Sequence, residues 1–179
     1  MASPAVQVRP RRDADMDRIT EIYTHHVLHG TSSWELSPPD TAEMTRRATA
    51  LEGAGYPYLV AEINGQAVGY AYAGAYRPRP AYRNTVEHSI YVDDAVRRGG
   101  IGRILLESLI ETCTELGFRQ MIAIVGDSQN RQSIEFHEKM GFTHVGKVKD
   151  IGYKFDRWMD QIILQRALGP GADSPPDRS

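Results

Sequence analysis

Residues 97–103 read RRGGIGR, three arginines and three glycines at one junction. The apolar stretch HSIYV runs into it, and the helix-like run ILLESLIETCTEL leaves it. A strand, a glycine turn and a helix start together suit an anion. The first helical N–H groups are unpaired, the helix dipole is positive at that end, and glycine lets the main chain approach a phosphate closely. The same residues read equally as a flexible corner with solvated arginines. The dinucleotide fingerprint G-x-G-x-x-G fails, because counting from Gly100 its third glycine position is Leu105, and no G-x-x-x-x-G-K-[ST] loop occurs. What remains is R-x-x-G-x-G, at Arg97, Gly100 and Gly102.

Other side chains with chemical potential flank this turn. In TVEHSIYV the two-residue period sends Glu87, Ser89 and Tyr91 to one face and Val86, His88, Ile90 and Val92 to the other. Glu87 is a candidate base or a solvated strand carboxylate. Upstream, Arg77, Arg79 and Arg83 alternate with Tyr76, Tyr82 and prolines such as Pro78, a loop that grips a carboxylate or keeps the surface soluble. Downstream, Asn130, Ser133 and His137 are spaced i, i+3, i+7, one helical face about 10 Å long. Helix capping accounts for the first two as well, and a core or solvated histidine for the third. His25 and His29 are i, i+4 but lack a third zinc ligand, so no metal is expected. The only cysteine, Cys113, continues the apolar stripe Ile101, Leu105, Leu109 and lies roughly 18 Å along the helix from the glycine turn, which reads as a buried thiol rather than a nucleophile.

The elements that must position these groups alternate along the chain. A strand at Val6–Arg9 precedes a helix capped by Asp13 or Asp15 and ending near Gly30. The loop TSSWELSPPD leads to a helix from Thr41 to Leu51. YPYLVAEI and QAVGYAYAG flank Asn64-Gly65, a strong hairpin signal. TVEHSIYV, the helix ending at Gly117, and the apolar run QMIAIV form a parallel βαβ unit. A helix from Asp127 or Ser128 to Gly141 and strands at THVGKV and Trp158–Gln165 complete it. The fold expected is mixed α/β (α+β), a mostly antiparallel sheet with a central parallel βαβ unit and helices on both faces. Residues 1–168 make a single domain, and GPGADSPPDRS has the composition of a disordered tail.

With 179 residues, 41% hydrophobic and 25% charged, the chain has the composition of one soluble domain. A formal charge of −2 argues against nucleic acid or an anionic membrane as partner, so any anionic ligand is expected to be small. No leader or long apolar run is evident, and the cytoplasm is the expected compartment.

The R-x-x-G-x-G turn, together with SQNRQSIEFHEKMGF, resembles the GCN5-related N-acetyltransferase (GNAT) superfamily, whose turn of this form binds the pyrophosphate of acetyl-CoA. The combination of Y-A-x-A-G-x-Y-R-x-R-x-A-Y-R, T-V-E-H-S-I-Y-V and a late G-x-K-F-D-R-W-M-D is similar to phosphinothricin and methionine sulfone or sulfoximine acetyltransferases, from Ile22 to about Leu168. Two details depart from that pattern: Asp127 and Ser128 lengthen the turn before Asn130 by one residue, and Arg98-Gly99 replaces a more usual pair. The resemblance implies that Arg97, Arg98, Gly99, Gly100, Ile101 and Gly102 hold acetyl-CoA, with Ile90, Tyr91, Val92, Asn130 and Ser133 along its arm. It implies Glu87 as base and His137 as the acid that protonates the leaving thiolate. It places Tyr76, Arg77, Pro78, Val86, Glu87, His88 and Trp34 around a small amino-acid-like acceptor, with Lys154 and Trp158 contributing from the last strands or from the second subunit of a homodimer. Transfer is expected to be direct, without an acyl-enzyme. The alternatives are an acetyltransferase for protein N-termini or polyamines, and a non-catalytic acetyl-CoA sensor.

Overall fold

The computed structural model describes residues 5–96 and 99–176. Asn64 and Gly65 both take positive φ, 51° and 81°, as a two-residue hairpin turn requires, and join β2 (Tyr58–Ile63) to β3 (Gln66–Ala75). β1 (Gln7–Pro10) pairs with the outer edge of β2, and β4 (Thr85–Val92) pairs antiparallel with β3. From β4 the chain crosses through α3 (Ile101–Glu115) to β5 (Gln120–Gly126), which lies parallel to β4. β6 (Thr143–Lys154) and β7 (Arg157–Ala167) close the sheet in the order β1-β2-β3-β4-β5-β7-β6. One parallel pair in an otherwise antiparallel sheet is the arrangement expected from sequence.

Alternation along the strands gives each face its own core. α1 (Met16–His29) and α2 (Thr41–Gly53) cover one face, burying Ile19, Tyr23, Val27, Met44 and Ala48 against Tyr58, Val60, Tyr70 and Tyr91. α3 and α4 (Arg131–Lys139) cover the other. There Ile101, Leu105, Leu106, Leu109 and Cys113 pack on Ala71, Ala73, Val86 and Met121. A large apolar side chain removed from water contributes about 2 kcal/mol, so α3 is held by this stripe and its first turn needs no stabilisation from the glycines before it. Cys113 is fully buried, as its place on the stripe implies.

Several boundaries differ from the sequence reading. α4 starts at Arg131 rather than near Asp127, because Asp127 takes φ 76° and its carboxylate accepts from the Gln129 N–H (3.0 Å), making a tight turn before the helix. β6 and β7 are longer than THVGKV and Trp158–Gln165 and meet at Phe155-Asp156, both at positive φ without a glycine to announce the turn. Residues 169–176, assigned to a disordered tail by composition, fold back in turns, and Arg119 donates to the carbonyl of Pro175 (2.9 Å) and to Ser174 Oγ (3.2 Å). Among the described residues no helix is long and apolar enough to cross a membrane.

Candidate active site

The parallel ladder between β4 and β5 runs from Thr85 opposite Gln120 to His88 opposite Ala123 and stops. Beyond it β4 stays on β3, through Val92 opposite Gly69, while β5 continues on β7 to Gly126 opposite Gln161. Residues 89–92 and 124–126 therefore diverge, and two cavities border the opening. One, of about 690 Å³, extends to the start of α3; the other, of about 440 Å³, lies toward Glu87. Ser32, Ile90, Asn130 and Ser133 line both, so the two meet along one wall.

The larger cavity is lined by the first turn of α3, Gly100 to Arg103, and by Val92, Gln129, Phe136, His26 and His29. Gly100 caps α3 at φ 78°, a left-handed conformation that glycine adopts without strain. Gly102 is different. A Cβ there would find its nearest neighbours at 3.8 Å, so neither backbone conformation nor crowding demands glycine, and the missing side chain leaves main chain open to the cavity. Gly99 is exposed beside the turn, and Arg97 and Arg98 lie outside the described residues. Asn130 caps α4, its amide oxygen accepting from the Ser133 N–H at 3.2 Å, and both still face the cavities. The Tyr91 ring points the other way, edge-on to Tyr23 and packed near His26, leaving its main chain toward the opening. His26 Nε2 meets the Val92 carbonyl at 2.9 Å.

Around the smaller cavity the strand alternation holds: Glu87, Ser89 and Tyr91 face α1, while His88 and Ile90 face α4. Burial pushes the Glu87 carboxyl above its ordinary range, and Arg77 opposes that shift by favouring the carboxylate. His137 Nδ1 lies 2.7 Å from the Ser133 carbonyl. A carbonyl only accepts, so Nδ1 carries the proton, and the neutral ring presents an Nε2 lone pair. Burial also pushes the His137 pKa down, which keeps the ring neutral. In this tautomer Nε2 has no hydrogen-bond partner and can only accept. The His88 ring packs beside it, tilted by 36° with centroids 5.1 Å apart, and its own pKa is driven well down by burial and by His137.

The other expected acceptor contacts divide. Trp34 and His88 line the smaller cavity. Val86 is fully buried in the α3-side core, so its side chain does not reach the acceptor space. Tyr76, Arg77 and Pro78 are outside the cavity lining, with the exposed Arg77 guanidinium 4.9 Å over the Tyr76 ring. Trp158 is exposed on the β6–β7 hairpin, while Lys154 is buried behind the α1–α2 loop. The sequence reading missed Tyr23, Ser33, Glu35 and Gln161, which also line the smaller cavity. Tyr23 Oη donates to a Glu35 oxygen at 2.9 Å and lies 2.9 Å from Ser33 Oγ. Tyr23 sits on the stripe that reads as core, and the only signal at Gln161 is a polar side chain heading the apolar run QIIL within the expected last strand. His25 and His29 have ring centroids 4.9 Å apart, and the described residues hold no group of three His, Cys, Asp or Glu able to bind a metal.

A family model described as an acetyltransferase (GNAT) domain matches residues 8–163. The chain belongs to the GNAT acetyltransferase family. It is 47% identical over 177 residues to a phosphinothricin N-acetyltransferase of Alcaligenes faecalis, covering 99% of this chain and 90% of the relative. An L-methionine sulfoximine/L-methionine sulfone acetyltransferase of Salmonella typhimurium is 41% identical, over 87% of this chain and 90% of its own length. Among solved structures, a phosphinothricin acetyltransferase from Sinorhizobium meliloti in complex with acetyl-CoA superimposes with a TM-score of 0.94 at 44% identity, covering 97% of this chain and 94% of that one.

The two glycines of the GNAT turn separate in a stability measurement. Gly100→Ala is expected to destabilise the chain by about 1 kcal/mol, because alanine resists the left-handed conformation. Gly102→Ala, inside a helix with room for a methyl, is expected to stabilise it by about 0.5 kcal/mol. Urea denaturation of both variants checks the contrast; equal destabilisation would mean that Gly102 is kept for folding.

Proposed function

We propose that this enzyme transfers the acetyl group of acetyl-CoA directly to the α-amino group of a small amino-acid analogue of the phosphinothricin, methionine sulfone or methionine sulfoximine type. The observation that carries this reading is the opening between β4 and β5, where a cavity at a helix N-terminus meets a second cavity walled by Glu87. The names of the relatives supply the acceptor class. Acetyl-CoA lies with its pyrophosphate at Gly100–Gly102 and its arm between Ile90, Val92, Asn130 and Ser133. Main-chain N–H groups around Tyr91 and Val92 polarise the thioester carbonyl.

Glu87 takes the ammonium proton, directly or through water, and the free amine attacks the carbonyl carbon. As the N–C bond forms and the C–S bond breaks, the nitrogen loses a second proton to His137 Nε2, which hands it to the thiolate. Arg77, although outside the cavity lining, favours the Glu87 carboxylate through its charge. Cys113 is fully buried in the core, consistent with no acyl-enzyme. The enzyme works in the cytoplasm as a homodimer, without nucleic acid or membrane. A second copy would cover the exposed apolar face of the last hairpin, Ile151, Tyr153, Phe155 and Trp158. Sedimentation velocity is expected to find a species of twice the 20.0 kDa chain mass, reduced to one chain by Trp158→Lys.

Thiol release from acetyl-CoA, followed against the sulfone, the sulfoximine, phosphinothricin, ordinary amino acids, polyamines and short peptides, tests the acceptor class. Preference for polyamines or peptides selects the alternative enzymes, and tight acetyl-CoA binding with no release selects a sensor. Glu87→Gln is expected to lower kcat by about a hundredfold with acetyl-CoA binding unchanged. Because Glu87 is raised by burial, kcat/KM should fall with decreasing pH earlier than for an ordinary carboxylate. Arg77→Gln removes the charge that holds the carboxyl down, so it should move that acid limb to still higher pH. A limb that stays in place would separate Arg77 from the base.

A further inference from the structure

The wall shared by the two cavities is not a regular element. Residues 30–35 lie between α1 and α2 without helix or strand. Gly30, Thr31 and Ser32 face the larger cavity, and Ser32, Ser33, Trp34 and Glu35 the smaller. Such a segment stays in place only through bonds made to it by other parts of the fold. Tyr23 and Arg47 hold its Glu35 end from the two helices. From the opposite side comes Lys154 at the end of β6, only 5% exposed, whose Nζ donates to the carbonyls of Gly30 at 3.0 Å and Ser33 at 2.7 Å. A buried ammonium is costly unless its hydrogen bonds are made, and an apolar side chain of similar length would fill the space without that cost. The charge therefore serves the two carbonyls.

The same strand also seats Trp34. A Cβ on Gly152 would fall 2.4 Å from the indole, and one on Gly126, at the end of β5, 2.2 Å from Nε1. The ring can lie against β5 and β6 only because both positions are glycine.

We propose that Lys154 is a positioning residue for both cavities: it pins the 30–35 segment as their common wall, and so couples the affinities for acetyl-CoA and for the acceptor. The choice of ligands rests on the acetyl-transfer reading; the pinning does not. The chain has two tryptophans, so Trp158→Phe leaves Trp34 as the sole reporter within the segment. In that background Lys154→Met is expected to shift Trp34 emission to the red and to raise its quenching by acrylamide, with far-UV circular dichroism unchanged. The calorimetric Kd for acetyl-CoA and the KM for methionine sulfone should rise together, each by about tenfold, the effect of losing hydrogen bonds to a charged donor, while kcat changes less. Unaltered emission, or loss of only one of the two affinities, would overturn the proposal. Should Lys154→Met not fold, Lys154→Gln, which lacks the charge and is one bond too short to keep both carbonyl contacts, is read in the same way. Failure of both to fold would also overturn it, because the lysine would then hold the whole chain rather than one segment. If the parent enzyme releases no thiol with any acceptor, the acetyl-transfer reading fails, and Trp34 fluorescence alone decides the role of Lys154.

Discussion

The β4–β5 ladder ends at His88 and Ala123 while both strands continue, each still paired on its other side. That one interruption organises the molecule. Main-chain groups of residues 89–92 that would have bonded to β5 face an opening instead, and a buried N–H left without a partner costs about 1–3 kcal/mol. A ligand that supplies acceptors there recovers what the sheet forgoes. His26, reaching across from α1 to the Val92 carbonyl, shows the same demand met by a side chain. The α3 crossover that makes β4 and β5 parallel also delivers a helix N-terminus to the same opening, so strand divergence and anion site arise from one connection.

Burial then divides the ionisable groups by task. Glu87 is half-buried and raised, yet it keeps Arg77 as a neighbour that favours its charge. His137 and His88 are buried more deeply on the α4 side, and both are pushed toward neutrality. A carboxylate able to take a proton thus lies on one side of β4, and His88 lies on the other beside the unpartnered, buried Nε2 of His137 from α4. The two-residue period of TVEHSIYV accounts for that separation, since Glu87 and His88 are consecutive.

Periodic signals were the most legible in the sequence. The Asn64-Gly65 hairpin, the parallel βαβ unit, the burial of Cys113 and the opposed faces of β4 all follow from local pattern. So does the glycine turn, although the structure separates Gly100, which takes positive φ, from Gly102, where neither conformation nor crowding demands glycine. Tertiary packing decided the rest. Val86 shares a strand with Glu87 but not a face, and the arginine loop stands outside the cavity it was expected to line. The Tyr23–Ser33–Glu35 network joins a helix to an irregular loop, which no periodicity reports. Phe155-Asp156 turns a hairpin without glycine, and Lys154 acts on carbonyls 124 and 121 residues away in the chain.

The central claim is that acetyl-CoA occupies the gap left where β4 and β5 part, against the first turn of α3. Amide hydrogen exchange followed with and without acetyl-CoA addresses it most directly. Protection concentrated at residues 89–92 and 100–103, with the β1–β3 hairpin region unchanged, is the predicted result. Protection confined to another surface, such as the groove of Arg131, Glu135 and His144 outside α4, with the gap exchanging as before, would contradict it.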